Sequence, residues 1–338
     1  MSVKEEVRTL WKLCFDDSDE FQELYFGMRY SDDVNMALRE DGKLVAALQM
    51  LPYQLTLGGT QVRTSYISGA CTHPDWRGRG AMRRLLAETH RRMYADGVLL
   101  SMLVPAEEWL FDYYARSGYT RSFNYVLVRE KVDGWSASLS CRVTDETDCP
   151  SMEEHYACFS RMMALRSCCV QHSWNDFRAI VADLKLSGGH LLVARNGDGI
   201  CGMAFLVMES DALVVKELLV MAEVARLELL RAAAQMFTKD EVIVVQPASD
   251  ASVCLGMLRV INVKEVMGVL AVHNPDRTLH VRILEDGAVP ANAGYFSMQG
   301  GKCIQGQQPN VEYRECSMNE LASLLFDPER PYMSLMLN

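Results

Sequence analysis

The chain of 338 residues carries 34 lysines and arginines against 44 acidic residues, a formal net charge of −10. That length calls for more than one domain, because a single core stops growing near about 250–300 residues. Hydrophobic residues at 49% and charged residues at 23% exclude a disordered chain, and the acidic balance argues against general nucleic-acid binding while suiting a cationic small partner.

No apolar run approaches the roughly 20 residues of a membrane span. The first residues, MSVKEEVRTLWKLCFDDSDE, lack a signal-peptide core, which places the expected location in the cytoplasm. The eleven cysteines are odd in number and scattered, without C-x-x-C or a metal-like Cys/His spacing. They point to a reducing compartment and to the absence of a metal site. The adjacent Cys168 and Cys169 read as small buried residues.

Residues 3–14 predict a short amphipathic helix with Val7, Leu10, Trp11 and Cys14 on one face. A second helix is expected around Phe21–Tyr30, after the cap residues Asp17, Ser18 and Asp19. Residues 43–50 and 51–59 read as strand, turn at Gly58-Gly59-Thr60, and resume as strand up to Cys71–Thr72, where His73-Pro74-Asp75 breaks it. A long helix begins near Gly80, with Met82, Leu85, Leu86 and Met93 on a buried face. Residues 98–105 form an apolar strand, residues 107–118 a helix stopped by Gly118, and residues 123–128 another strand.

A charged, Ser-rich stretch at about 129–150 marks a boundary, after which a similar order repeats. Helices at 152–167 and 173–187 precede the strands HLLVA, ICGMAFLVM and ALVVKELLV. A helix at 223–237, the strand VIVVQP, a helix at 252–259 and the strand VKEVMGVLAV complete the expected second unit. From His273 onward RTLHVRILED, GYFSMQGGKCIQG and VEYREC read as strands, and SMNELASLLF as a helix with Ser317 and Glu320 at capping-box spacing. The expected domains are 1–132, 133–272 and 273–338.

The string that carries chemistry is SGACTHPDWRGRGAMRRLL. A strand ends, the chain passes through Arg77-Gly78-Arg79-Gly80, and a helix starts. Glycines let backbone approach an anion, and a helix N-terminus offers free N–H groups and a positive dipole end. The loop alone also reads as a solvated basic turn. Its context favours a diphosphate cradle, since residues 77–92 hold six arginines and only one acid, Glu88, a local +5 in a chain whose remainder carries −15.

This order of elements, with R-G-x-G opening a long helix and Y-x-x-x-G-Y on the next one, resembles the GNAT N-acetyltransferase family. Arg77, Gly80 and the loop between them match that family's R/Q-x-x-G-x-G/A motif, whereas the sixth position is Met82. The openings LWKLCFDDSDEFQELYF and DGKLVAALQMLPY are similar to the Eis (enhanced intracellular survival) type. The resemblance implies an α+β fold: two tandem GNAT-like domains, the second degenerate, and a small sterol-carrier-like C-terminal domain. It implies acetyl-CoA as co-substrate, held by Ala70, Cys71 and Thr72 along the pantetheine and by Arg77, Gly78, Arg79, Gly80, Ala81 and Met82 at the pyrophosphate. Tyr114 matches the tyrosine that protonates the departing thiolate. In Eis-like proteins the C-terminal carboxylate is the base, which here would be on Asn338, and homo-oligomers form.

Other residues stay open to two readings. Phe21, Tyr25 and Phe26 could line an acceptor pocket or belong to the core. Cys71 could be a nucleophile but has no visible paired base and reads rather as a buried strand cysteine, and His73 could be a base but at a strand end before proline reads rather as a turn residue. At the place of the arginine-glycine loop the second unit reads LLVMAEVARLELL, with Glu223 and Glu228 where an anion would need positive charge. It is expected not to bind CoA. The function expected is direct acetyl transfer to an aminoglycoside, polyamine or lysine-like amine, with no nucleic acid or membrane partner. The alternative is a non-catalytic acyl-CoA-binding or sensing protein.

Overall fold

The computed structural model describes residues 2–132, 141–248 and 252–337. Helix α1 (Val3–Cys14) is opened by a Ser2–Glu5 capping box and α2 (Asp19–Met28) by the Ser18 side chain. Strands β1 (Asn35–Glu40), β2 (Lys43–Leu57) and β3 (Thr60–Thr72) form an antiparallel meander. A 3-10 turn, Pro74–Trp76, leads to α3 (Ala81–Ala95), β4 (Leu100–Leu103), α4 (Glu108–Ala115) and β5 (Thr120–Lys131). The chain continues through β6 (Arg142–Asp145), α5 (Glu153–Ala164), β7 (Val170–Gln171) and α6 (Trp174–Leu186). Next come β8 (His190–Asn196), β9 (Gly199–Glu209), β10 (Ala212–Val220), α7 (Glu223–Phe237), β11 (Glu241–Pro247), β12 (Val253–Val260) and α8 (Val263–His273). The last elements are β13 (Leu279–Ile283), β14 (Gly294–Gln299), β15 (Lys302–Gln305), β16 (Arg314–Cys316) and α9 (Met318–Phe326).

One sheet of 12 strands spans most of the molecule, in the order β1-β2-β3-β4-β12-β5-β11-β10-β9-β8-β6, with β7 paired to β2. It is mostly antiparallel. The two parallel pairs, β3–β4 and β10–β11, each enclose a helix, α3 and α7 respectively. This is the mixed α/β architecture that the order of elements predicts, with one rearrangement. β5 follows α4 yet pairs with β11, and β12 follows β11 yet pairs with β4 and β5. The strands after α4 and after β11 therefore lie between the two halves and join them.

Two elements differ from the sequence reading. Residues 252–259, expected as a helix, belong to β12, and residues 263–272, expected as a strand, belong to α8. In β12 the apolar residues Met257, Leu258 and Val260 are buried, which suits a strand enclosed by neighbours on both edges. In α8 the Asn262 side chain accepts the Glu265 N–H at 3.2 Å, an N-cap that the apolar run VMGVLAV obscured. The meander also gains β1, and residues 43–57 form one unbroken strand.

The last piece packs on the main sheet. β15-β14-β13-β16 form a separate four-stranded sheet. Its Val281, Ile283, Phe296 and Met298 share a core cluster with Leu55, Leu100, Phe123 and Leu258 of the large sheet and with Leu321 and Phe326 of α9. A buried ion pair crosses this junction: Arg259 of β12 donates to both Asp286 carboxylate oxygens at 2.7 Å and to the Ser117 carbonyl. No described helix is long and apolar enough to cross a membrane.

Candidate active site

The site begins with a defect in β3. Ser68 pairs with Gln49 and Cys71 with Ala47, so Gly69 and Ala70 oppose one residue of β2, Leu48. Gly69 has φ +56, and a Cβ there would meet Trp11 at 2.0 Å. Only glycine fits this bulge, and a bulge bends its strand. β3 pairs with β4 only at Thr64–Tyr66. Beyond that point β3 runs on to Thr72 and β4 to Leu103 without pairing, so a gap opens between two parallel strands. Ala70, Cys71 and Thr72 form the β3 side of this gap. Gly69 was missed as a site residue, although an isolated glycine in a strand pattern signals a bulge.

Past the gap the chain turns. The His73 side chain accepts the Asp75 N–H at 3.3 Å, which makes His73 a turn residue. The Arg77 Nε donates to the Thr72 carbonyl at 3.3 Å, and Arg79 stacks on Trp76 at 5.0 Å. Gly78 and Gly80 have φ +75 and +76. Gly80 is the N-cap of α3 and offers no side chain, so the first N–H groups of α3, from Ala81 to Arg83, have no side-chain cap. A Cβ on Gly78 would meet nothing within 4 Å. Arg77 and Arg79 are exposed and form no ion pair among the described residues. Free donors, positive dipole and open space therefore coincide, and the donor set fits a diphosphate. Met82 points inward and is buried with Leu85 and Leu86, so a bulky residue there leaves the loop clear.

Tyr114 of α4 is 7% exposed and packs with Ile67, Met82 and Leu103, in the cluster that Ala70 also joins. Burial holds its phenol well above the usual range, so it is a proton carrier at neutral pH. Tyr113 sits edge-on beside it at 5.3 Å and is less buried. The glycine of Y-x-x-x-G has its own cause. Gly118 has φ +83, and a Cβ would meet the Arg259 guanidinium at 2.0 Å.

Tyr25 and Phe26 are core side chains, 1% and 2% exposed, packed with Trp11. Phe21 lies at the edge of the same cluster. The Tyr25 hydroxyl donates to Ser68 Oγ at 2.8 Å, which ties α2 to the bulge. Asn338 lies outside the described residues, but the segment before it is docked. Tyr332 N donates to the Cys168 carbonyl, Val170 N to the Tyr332 carbonyl, and Ser334 Oγ to the buried Glu217. Met336 packs on the same core cluster as Val104, just past the end of β4.

One cysteine pair escapes a reading based on spacing. Cys141 and Cys201 sulfurs lie 3.4 Å apart, and the Cys14 thiol donates to the Thr72 carbonyl at 3.3 Å. Glu146, Cys149 and His155 bring ligand atoms within 4.8 Å of one another. There Arg195 already holds the Glu146 carboxylate with two bonds of 3.0 Å, supplying the positive charge that a cation would bring. In the second half α7 starts at Glu223 after an uncapping Ala222, and Glu228 is bound by Arg231.

Residues 2–122 match the family model described as the acetyltransferase (GNAT) domain. No curated protein matches the chain. Among solved structures, the chain is similar to a GCN5-related N-acetyltransferase from Anabaena variabilis, at 17% identity, TM-score 0.78 and coverage of 97% of this chain and 96% of that one. It is similar to Eis1 from Mycobacterium abscessus at 15% identity and TM-score 0.74, covering 95% and 86%. A GCN5-related N-acetyltransferase from Kribbella flavida follows at 17% and TM-score 0.72, covering 99% and 95%. These likenesses extend the shared fold over nearly the whole chain. The gap beyond Tyr66 and the uncapped helix both lie within the segment, residues 2–122, that matches the GNAT acetyltransferase domain.

Proposed function

We propose that the protein transfers acetyl from acetyl-CoA directly to an amine, and that residues 133–338 complete an Eis-like arrangement of a second GNAT-like unit and a sterol-carrier-like piece. The observation that carries this reading is the gap between β3 and β4, opening beside an uncapped helix and two arginines that form no ion pair among the described residues. The co-substrate supplies an activated acetyl group. Arg77, Arg79 and the backbone from Gly78 to Met82 bind its pyrophosphate. The polar backbone of Ala70–Thr72 pairs with the pantetheine arm and presents N–H donors to negative charge developing on the carbonyl oxygen. Tyr114, kept protonated by burial, gives its proton to the departing sulfur. The Asn338 carboxylate, carried by the docked segment 332–337, takes the proton of the amine.

The acceptor is assigned to a cavity of about 590 Å³ that opens beside Thr64 and Ser65, at the base of the gap. Asp33, Asp96 and Asp176 line it with Tyr53 and Tyr156, and Arg63 and Arg92 offset two of the three carboxylates, which leaves aromatic faces and a single net negative charge for a cationic amine. Holding amine and acyl group together removes most of the association entropy from the chemical step. The test is release of free CoA thiol from acetyl-CoA in the presence of aminoglycosides, polyamines and lysine peptides. Binding of CoA without thiol release for any of these amines would favour an acyl-CoA sensor instead.

A further inference from the structure

We propose that the cavity between α3, the end of α4 and the C-terminal piece binds the ribose 3′-phosphate of the co-substrate, with Arg83 and Arg116 as the residues that select it, an assignment that rests on the proposed function. The C-terminal piece then forms one wall of the co-substrate site. The cavity measures about 600 Å³, a size suited to a nucleotide. Arg83, Ala87 and His90 line it from α3, where their spacing puts them on one face. Residues 115–118 close it at the end of α4, and residues 284–288 with the start of α9 line its other side.

Arg83 joins this cavity to the pyrophosphate loop. It stands in the first turn of α3, and helix side chains lean toward the N-terminus. A Cβ on Gly80, the N-cap of α3, would lie 3.7 Å from Arg83 Nη2. The guanidinium is therefore beside the loop and lines the cavity as well. In CoA the anionic group next to the pyrophosphate is the phosphomonoester on the adenosine ribose, a few bonds away. A pyrophosphate seated at Gly78–Met82 brings that group to Arg83.

The charges of the lining favour an anion at the α3 and α4 side. Arg259 lies in the wall, but Asp286 accepts two bonds of 2.7 Å from it, and both side chains are buried, so this pair is neutral. The buried Arg259 Nε has no partner among the described residues, a donor still open to an acceptor. His90 is kept neutral by burial. Arg83 and Arg116 are exposed and form no ion pair among the described residues. Glu285, exposed on the C-terminal side, is the lining carboxylate that opposes them. Two guanidinium forks match the oxygens of a phosphomonoester, and Ser117 and Asn319 add neutral donors. The apolar Ala87, Ala115 and Met318 leave contact surface for the adenine ring.

The test is calorimetry on the full chain with CoA, 3′-dephospho-CoA and inorganic phosphate. CoA is expected to bind about tenfold more tightly than 3′-dephospho-CoA, with a ratio that falls as salt is added. Arg116→Gln should remove most of that preference by weakening CoA alone, with the dissociation constant for 3′-dephospho-CoA unchanged. Arg116 is exposed, so this variant keeps its fold, which thermal melting checks. Glu285→Gln should widen the preference. Equal affinity for CoA and 3′-dephospho-CoA, or a preference that survives Arg116→Gln intact, overturns the assignment and leaves the proposed function standing. If inorganic phosphate binds the wild type but not Arg116→Gln, while CoA and 3′-dephospho-CoA bind equally, the cavity holds a free phosphate and the assignment to the co-substrate is likewise overturned. Failure of both CoA and 3′-dephospho-CoA to bind overturns the proposed function, and this assignment with it.

Discussion

Replacing Glu217 by alanine should weaken the fold and release the last residues of the chain. Glu217 is 1% exposed and accepts five hydrogen bonds, one of them from the Leu218 N–H at 3.0 Å. Arg166 gives two bonds of 2.9 and 2.7 Å, Tyr332 OH one of 3.3 Å, and Ser334 Oγ a short one. Removing one member of a buried pair leaves the other charge without its partner, at a cost of about 3–5 kcal/mol. The Arg166 side chain is 23% exposed, so water recovers part of that cost and the lower figure applies. A loss of about 3 kcal/mol lowers the melting temperature by roughly 4 °C at this size, because unfolding entropy scales with chain length. The backbone bonds of Tyr332 to Cys168 and Val170 survive, so the chain beyond residue 333 is the part set free. The assays are thermal melting by circular dichroism and the rate at which carboxypeptidase removes C-terminal residues. If that segment positions the base, turnover falls while the CoA dissociation constant does not change. A melting temperature within about 2 °C of wild type, with unchanged carboxypeptidase release, would refute the anchoring role.

Three further outcomes are expected. Tyr114→Phe should lower kcat by about 10²–10⁴ with little effect on CoA affinity; equal turnover in both proteins assigns the proton to another donor. Arg77→Gln should raise the CoA dissociation constant about tenfold, and more at low salt, through loss of one exposed charge-assisted contact; an unchanged constant in calorimetry removes Arg77 from the cradle. His172 is lowered to about 4 by burial, and its Nε2–H donates to the Ser334 carbonyl at 3.1 Å. Its unfolded form titrates near about 6.5, so stability is complete above that pH and lost as pH falls toward the folded value. Urea unfolding should show about 2 kcal/mol lost between pH 7 and pH 5 through this group. His172→Gln should flatten that slope, and an unaltered slope would assign the loss to other groups.

Local pattern was enough for much of the molecule. The apolar faces of α1 and α3, the strand alternation of β2 and β3, and the serine caps at Ser18, Ser173 and Ser317 are properties of short segments. They fix element type wherever burial on one face decides it. The loop from Arg77 to Gly80 is equally legible, because its glycines occupy the left-handed backbone region that the turn needs. β12 and α8 were not legible. Their apolar runs fit either period, and what separates them is Asn262 as a cap and the enclosure of β12 between β4 and β5.

Sequence alone determined the elements and the anion-binding loop, since both arise from interactions within a few residues. Tertiary structure alone decided that β5 and β12 lie between the two halves, that Trp11 and Gln49 close over Gly69, and that the Cys14 thiol meets the Thr72 carbonyl. It also decided that the residues before Asn338 return to the core beside the end of β4. Each of these brings together segments far apart in the chain. Their pairing is selected by how completely the whole sheet buries its apolar faces, a sum that no single segment carries.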